Sequence, residues 1–246
     1  MSLSLDSDLS LSASGSAFSP SQLGPALWLD FSLNSSITPN SGNLQSIADI
    51  SGNPAGIAFS QLTVPRQPPI AANGISGRQS VHGTAVSLQG VTSNKTMLQI
   101  LGSATAAELI VVAQLNADGV ADPFGISWST ADTGDYFEFS DGKTYSGVCG
   151  SARNTGNSVG TGVLTQPFVW GIQSAANLYS ILINWSVNFT TATNTFTGGA
   201  VTPTLMNASG VSMAGFIGEL LLFPFILATG DRANTRSYLT SRWLTP

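Results

Sequence analysis

Gly156-Asn157-Ser158-Val159-Gly160 has the G-x-S-x-G spacing of a nucleophile elbow. In such an elbow a sharp strand-to-helix turn lifts a serine hydroxyl toward a histidine base, and the chemistry is acyl transfer. Both flanks here are polar, loop-like sequence, and the chain's single histidine, His82, sits in a strand-like stretch far upstream. The motif therefore reads as loop. Gly142-Lys143-Thr144 has the ending of a phosphate loop, but the earlier glycine would fall at Phe137, so the cradle is missing and a hairpin is expected.

Asp132, Asp135, Glu138 and Asp141 recur every three residues. Paired carboxylates can act as acid and nucleophile on a glycosidic bond. A spacing of three puts neighbours on opposite faces of a strand, so solubility is the expected role. Asp118, Asp122, Asp132 and Asp135 fall in or near loops and carry the hard oxygens that calcium takes; no EF-hand spacing is present, and calcium stays open as a ligand of these loops. Zinc has no His/Cys cluster to bind it. Cys149 is the one cysteine, so no intrachain disulfide forms, and it reads as a small buried apolar residue. Trp28, Trp128, Trp170, Trp185 and Trp243 could stack on sugars, but each falls on an apolar stretch and is read as core.

The elements that must position these residues are mostly strands. Glu108–Leu115 is apolar on both faces and belongs in the middle of a sheet. Phe124, Ile126 and Trp128 share a face, Tyr136–Phe139 runs into an Asp141-Gly142 hairpin, and Phe168, Trp170 and Ile172 mark a further strand. Leu178–Phe189 alternates over its whole length and reads as one strand. Residues 147–162, rich in Gly, Ser, Asn and Thr, read as loop, and residues 34–80 as loop-rich. Phe216–Phe225 is a nearly unbroken apolar strand ending near Pro224; its Glu219 should lie at an edge or bond to backbone. A helix follows, with Thr229 or Asp231 as cap and Leu239 and Trp243 on one face.

Residues 1–19 form an N-terminal arm, with residues 20–246 as the sandwich domain. Leu3, Leu5, Leu9 and Leu11 alternate with Ser and Asp, giving an apolar edge suited to docking on another surface by strand addition. The start of the chain lacks the basic and apolar regions of a signal peptide, and no window is long and apolar enough to span a bilayer. Only 9% of the 246 residues are charged and 42% are hydrophobic. With eight Lys and Arg against a net charge of -5, there is no basic footprint for nucleic acid or an anionic membrane. The five Asn-x-Ser/Thr triplets, at Asn34, Asn94, Asn184, Asn188 and Asn207, are expected by chance in so Asn- and Ser-rich a chain.

Pro25-Ala26-Leu27-Trp28-Leu29-Asp30, the Asp49-Ile50-Ser51-Gly52-Asn53 turn, the stretch from Asn73-Gly74 to Leu88 and the Phe216-to-Trp243 end together resemble concanavalin A-like (laminin-G-like) jelly-roll domains, frequent in bacteriophage virion proteins. The resemblance implies an all-β, antiparallel two-sheet jelly-roll sandwich with one short C-terminal helix. Glycosidases of this sandwich carry an E-x-D-x-x-E strand motif, which is absent here. The expectation is a non-enzymatic structural virion protein that decorates or cements the capsid or forms a short head fibre or knob. Its partner would be the major capsid protein or another virion protein, and analogy suggests a homotrimer. The alternative is a carbohydrate-binding tail-fibre adhesin, contacting host-surface glycans through loops 118–135 and 147–162.

Overall fold

A computed structural model describes residues 17–84, 89–126, 128, 134–208 and 210–245. The sequence between Gly24 and Ser93 forms β1 (Leu27–Asp30), β2 (Ile37–Asn40), β3 (Asn43–Ala48), β4 (Ala58–Ser60), β5 (Ile70–Ala71), β6 (Ser80–Thr84) and β7 (Val91–Ser93). A one-turn helix, α1 (Met97–Leu101), precedes β8 (Ala106–Leu115), β9 (Asp122–Ile126), β10 (Asp135–Glu138), β11 (Lys143–Ser146) and β12 (Asn154–Ser158). Then come β13 (Phe168–Ala175), β14 (Leu178–Ile183), β15 (Ser186–Thr191), β16 (Thr204–Leu205), β17 (Asn207–Ala208), β18 (Val211–Ser212) and β19 (Ala214–Phe223). The chain ends in α2 (Thr229–Leu239) and a π-helical turn, Thr240–Leu244.

The strands form two large antiparallel sheets and a separate two-stranded ribbon, β17-β18. The first runs β15-β14-β13-β8-β19-β6-β5, with β1 also paired to β19; the second runs β12-β11-β10-β9-β16-β7-β4-β3-β2. Alternation decides what each face buries. Leu109, Val111, Trp170, Ile172, Leu220 and Leu222 point from the first sheet into the core between the layers, where they meet Phe59, Phe124 and Phe137. Each such side chain contributes about 1.5–3 kcal/mol. Ile110, Val112, Val169, Leu221 and Phe223 point the other way, under Leu239 and Trp243 of the C-terminal helical segment. The apolar character of β8 and β19 on both faces follows from this double cover.

β19 carries a bulge. Ile217 pairs with Ala113 and Glu219 with Val112, leaving Gly218 extra. The added residue inverts the alternation, so Glu219 turns to the helix side. Gly218 also lets the Trp243 ring close over the strand, since a Cβ there would stand 2.7 Å from the ring. At this point the neighbouring edge forks: β6 pairs with Ala214–Ile217 and β1 with Glu219–Leu222.

Glu219 is neither at an edge nor bonded to backbone, as its sequence context suggested. Its carboxylate accepts from Trp28 Nε1 (2.8 Å), Trp243 Nε1 (2.6 Å) and Tyr238 Oη (3.0 Å). Burial, with Asp30 nearby, pushes its pKa up to about 7. The helix cap also differs: Ala228 is the N-cap, and no side chain caps α2. The expected single strand over Leu178–Phe189 is a hairpin, because Asn184 (φ 49°) and Trp185 (φ 70°) form a two-residue turn between Ile183 and Ser186. Residues 34–80 hold four short strands and part of a fifth pairing partner, not only loop.

The two sheets are stitched at one edge. Asn157 of β12 and Asn188 of β15 clasp each other: Asn157 N donates to Asn188 Oδ1 (2.8 Å), Asn188 Nδ2 donates to Asn157 O (3.2 Å), and Asn157 Nδ2 donates to Asn188 O. The stretch 147–162, expected as loop, thus contains an edge strand made of polar residues. The amides of Asn94, Asn184, Asn188 and Asn207 all serve internal hydrogen bonds.

Candidate functional site

The outer face of the second sheet carries an aromatic patch with charged groups around it. It is built on the β10–β11 hairpin. Gly142, at φ 74°, takes the left-handed position that the turn needs. Asp141 Oδ1 accepts from Lys143 N (3.1 Å) and Oδ2 from Tyr145 Oη (2.7 Å). Tyr136 and Tyr145 stand opposite each other across the hairpin. Phe139 meets both edge-on, at 5.1 Å and 5.7 Å between ring centres. Phe137, between them in sequence, points into the core. The Arg153 guanidinium lies 4.9 Å from the centre of the Tyr145 ring and donates to Gly134 O (3.2 Å). Tyr136 is buried, at 5% exposed, whereas Tyr145 is half-buried and Phe139 is 36% exposed, so the patch opens at Phe139 and Tyr145.

The electrostatics follow from these contacts. The Tyr145 hydroxyl holds the Asp141 carboxyl below its usual range, and the same bond holds the Tyr145 phenol above its own. Apolar ring surface edged by a carboxylate, a guanidinium and Lys143 suits a ligand that is apolar on one face and hydroxylated at its rim.

Of the sequence-derived acidic candidates, Asp122, Asp135 and Glu138 are buried, Asp118 is half-buried and Asp141 is exposed. Asp118 Oδ2 accepts from Gly162 N (2.6 Å), Asp122 Oδ1 from Ala214 N (2.6 Å), Asp135 Oδ1 from Gly147 N (2.6 Å) and Glu138 Oε2 from Gly119 N (2.9 Å). They tie loops and strands to one another. Asp122 and Glu138 face each other across β9 and β10. Burial pushes Asp122 up to about 7, with Glu138 adding to the effect, and burial raises Glu138 as well. Among the described residues no group of three or more His, Cys, Asp or Glu is placed to hold a metal ion. Asp132 lies outside the described residues, as do Leu3, Leu5, Leu9 and Leu11 of the arm.

Ser158 and His82 are far apart. Ser158 pairs with Lys143 on β11, at the edge clasped to β15. His82 is on β6, five strand spacings from β15 at ~4.8 Å each. Its ring stacks on Phe216 at 4.3 Å, and burial lowers its pKa. Cys149 is buried, as are Trp128, Trp170 and Trp243. Trp185 instead sits half-buried on the hairpin turn. Sequence reasoning passed over Tyr136, Phe139, Tyr145 and Arg153. The available signal was an Asp-Gly hairpin with aromatics on both arms.

Fold and site together define an antiparallel jelly-roll β-sandwich with an aromatic outer face. No family model and no curated protein matches the chain. Among solved structures it is similar to domain 4 of AbnA, a GH43 extracellular arabinanase from Geobacillus stearothermophilus, in complex with arabinotriose: 16% identity, TM-score 0.57, covering 84% of this chain and 95% of that one. It is similar to the binding domain of Paraclostridial Mosquitocidal Protein 1 at 8% identity and TM-score 0.60, covering 89% of this chain and 52% of that one. Trypanosoma rangeli sialidase matches at 8% identity and TM-score 0.56, over 89% of this chain and only 33% of the sialidase. At these identities the likeness establishes the fold.

Proposed function

We propose that this chain is a non-catalytic glycan-recognition sandwich whose ligand lies on the Tyr145 face. The observation that carries the reading is the open Phe139–Tyr145 ring pair, backed by the buried Tyr136, with Asp141 and Arg153 at its rim. Ring faces pack on the apolar side of a sugar, while the carboxylate accepts from its hydroxyls and the guanidinium donates to them. The arabinanase domain in complex with arabinotriose and the sialidase in complex with sialic acid support this choice of ligand class. The test is a glycan array followed by titration. Tyr145→Ala, on the surface of an intact hairpin, is expected to weaken the best ligand at least tenfold with an unchanged melting temperature. A wild-type protein that binds nothing on a broad array, or a ligand indifferent to Tyr145→Ala, overturns the reading.

The setting is a bacteriophage particle, with the glycan on the host surface and the chain in a homotrimer; the sequence resemblance is what supports this. One contact favours the companion role of virion docking. Phe18 meets the Tyr238 ring edge-on at 6.4 Å, so the chain joins the arm over α2, on the face opposite Tyr145. Docking to a major capsid protein or another virion protein would then leave the glycan face outward. Particles assembled with residues 1–19 deleted should lack the protein; normal incorporation rejects the docking role.

A further inference from the structure

The β14–β15 turn is built against the preference of its own residues. Two-residue turns with both φ positive favour Asn-Gly, because only small or polar residues enter the left-handed region cheaply. Here the second position is Trp185, at φ 70°. The turn is otherwise well made: Asn184 Oδ1 accepts from Val169 N (2.9 Å) and Asn184 N donates to Val169 O (2.8 Å). A bulky aromatic held in this conformation points to a role for its ring beyond the turn.

That ring walls a cavity of about 220 Å³ whose other sides are Thr229, Arg232, Ala233 and Arg236 of α2. Two of the chain's eight cationic side chains therefore line one small space, and among the described residues no carboxylate does. The donors around it are only partly spent. Arg232 grips Glu108 through Nε and one amino group, both at 2.9 Å, and the same amino group donates to Leu227 O (2.9 Å); its Nη1 makes no bond among the described residues. Glu108 is fully occupied in turn, taking Leu227 N on the same oxygen as that amino group (2.8 Å). Arg236 is exposed and makes no ion pair among the described residues. Trp185 Nε1 is buried without a partner. The first turn of α2, which opens beside the cavity at Thr229, has no capping side chain.

We infer that this pocket is a second ligand site, separate from the Tyr145 face, for a sugar ring bearing a carboxylate. The indole takes the ring's apolar face, as aromatic surface does elsewhere. Arg236 and the free Arg232 amino group take the carboxylate in a charge-assisted pair. The volume accepts one ring and not a chain, so the ligand is a terminal or branching acidic residue.

The test compares digalacturonic acid with its methyl ester by calorimetric titration of the full chain. The acid should bind and the ester should bind at least tenfold more weakly. Arg236→Gln and Trp185→Gly should each weaken the acid at least tenfold. Trp185→Gly installs the pair that the turn prefers, and its melting temperature, measured alongside, separates loss of the ring from loss of structure. Arg78→Gln, which removes an exposed charge elsewhere, should leave binding unchanged. Equal binding of acid and ester, or acid binding indifferent to Arg236→Gln, overturns the carboxylate assignment. Displacement by an equal concentration of inorganic sulfate would show a bare anion site and overturn the sugar assignment. None of these outcomes depends on whether the Tyr145 face binds anything.

Discussion

Replacing Glu219 by Gln tests how this sandwich tolerates a carboxyl group in its helix-side core. The side chain is 1% exposed and receives three donors, two indoles and a phenol. Gln keeps the acceptor for Trp28 and Tyr238 but turns an amide donor toward Trp243 Nε1, leaving one buried donor unpaired at a cost of about 1–3 kcal/mol. The pH dependence is the sharper measure. In the native state the carboxyl is raised from 4.5 to about 7. A raised pKa means stability that is complete below pH 4.5 and lost as pH climbs through 7, by roughly 3 kcal/mol at ~1.36 kcal/mol per pH unit. Gln does not titrate. The deficit of Glu219→Gln against wild type should therefore shrink by roughly 3 kcal/mol between pH 5 and pH 8. Urea unfolding followed by tryptophan fluorescence at each pH gives both curves. A deficit that stays constant or widens toward pH 8 would mean that the indole donors and Arg242, 3.5 Å away, keep the group ionised throughout, and the reasoning would fail.

Two further outcomes are expected. Asp122, raised to about 7 chiefly by burial, loses native stability as pH rises toward 8, and Asn can still accept from Ala214 N; Asp122→Asn should gain at least ~1 kcal/mol on wild type between pH 5 and pH 8 in the same assay, and a pH-independent difference would reject this. Gly218→Ala sets a Cβ 2.7 Å from the Trp243 ring and should cost about 1–3 kcal/mol, seen as a melting temperature several degrees lower; adding Trp243→Leu should recover part of the loss, and strict additivity would contradict the contact.

Strands buried on both faces were legible because their composition leaves few alternatives: β8, β13 and β19 all appear close to their expected places. The β10–β11 hairpin was legible from Asp141-Gly142, a turn signal with a backbone cause. The β14–β15 turn was not, since Asn184-Trp185 offers no glycine and the alternation runs on through it. β12 was read as loop because an edge strand needs no apolar face. α1 is one turn long and its signal was local: Thr96 and Gln99 form a capping box. The carboxylates misled for a common reason. Sequence shows an acid but not the backbone amides that Asp118, Asp122, Asp135 and Glu138 accept from, nor the indoles around Glu219. The aromatic face escaped notice because Tyr136 and Tyr145 come together only through hairpin register, and Arg153 reaches Tyr145 from the loop before β12.

The fork in β19 bears on how the protein can be made. Trp28 finds its carboxylate partner 191 residues later, and β1, β6 and β8 all wait for the same late strand. A nascent chain leaving the ribosome therefore holds three open edges until nearly the whole polypeptide has been synthesised, which favours slow, all-at-once closure. Fragments ending before Ala214 should be insoluble rather than partly folded, and any display or fusion format must keep the C-terminal strand and helix in place.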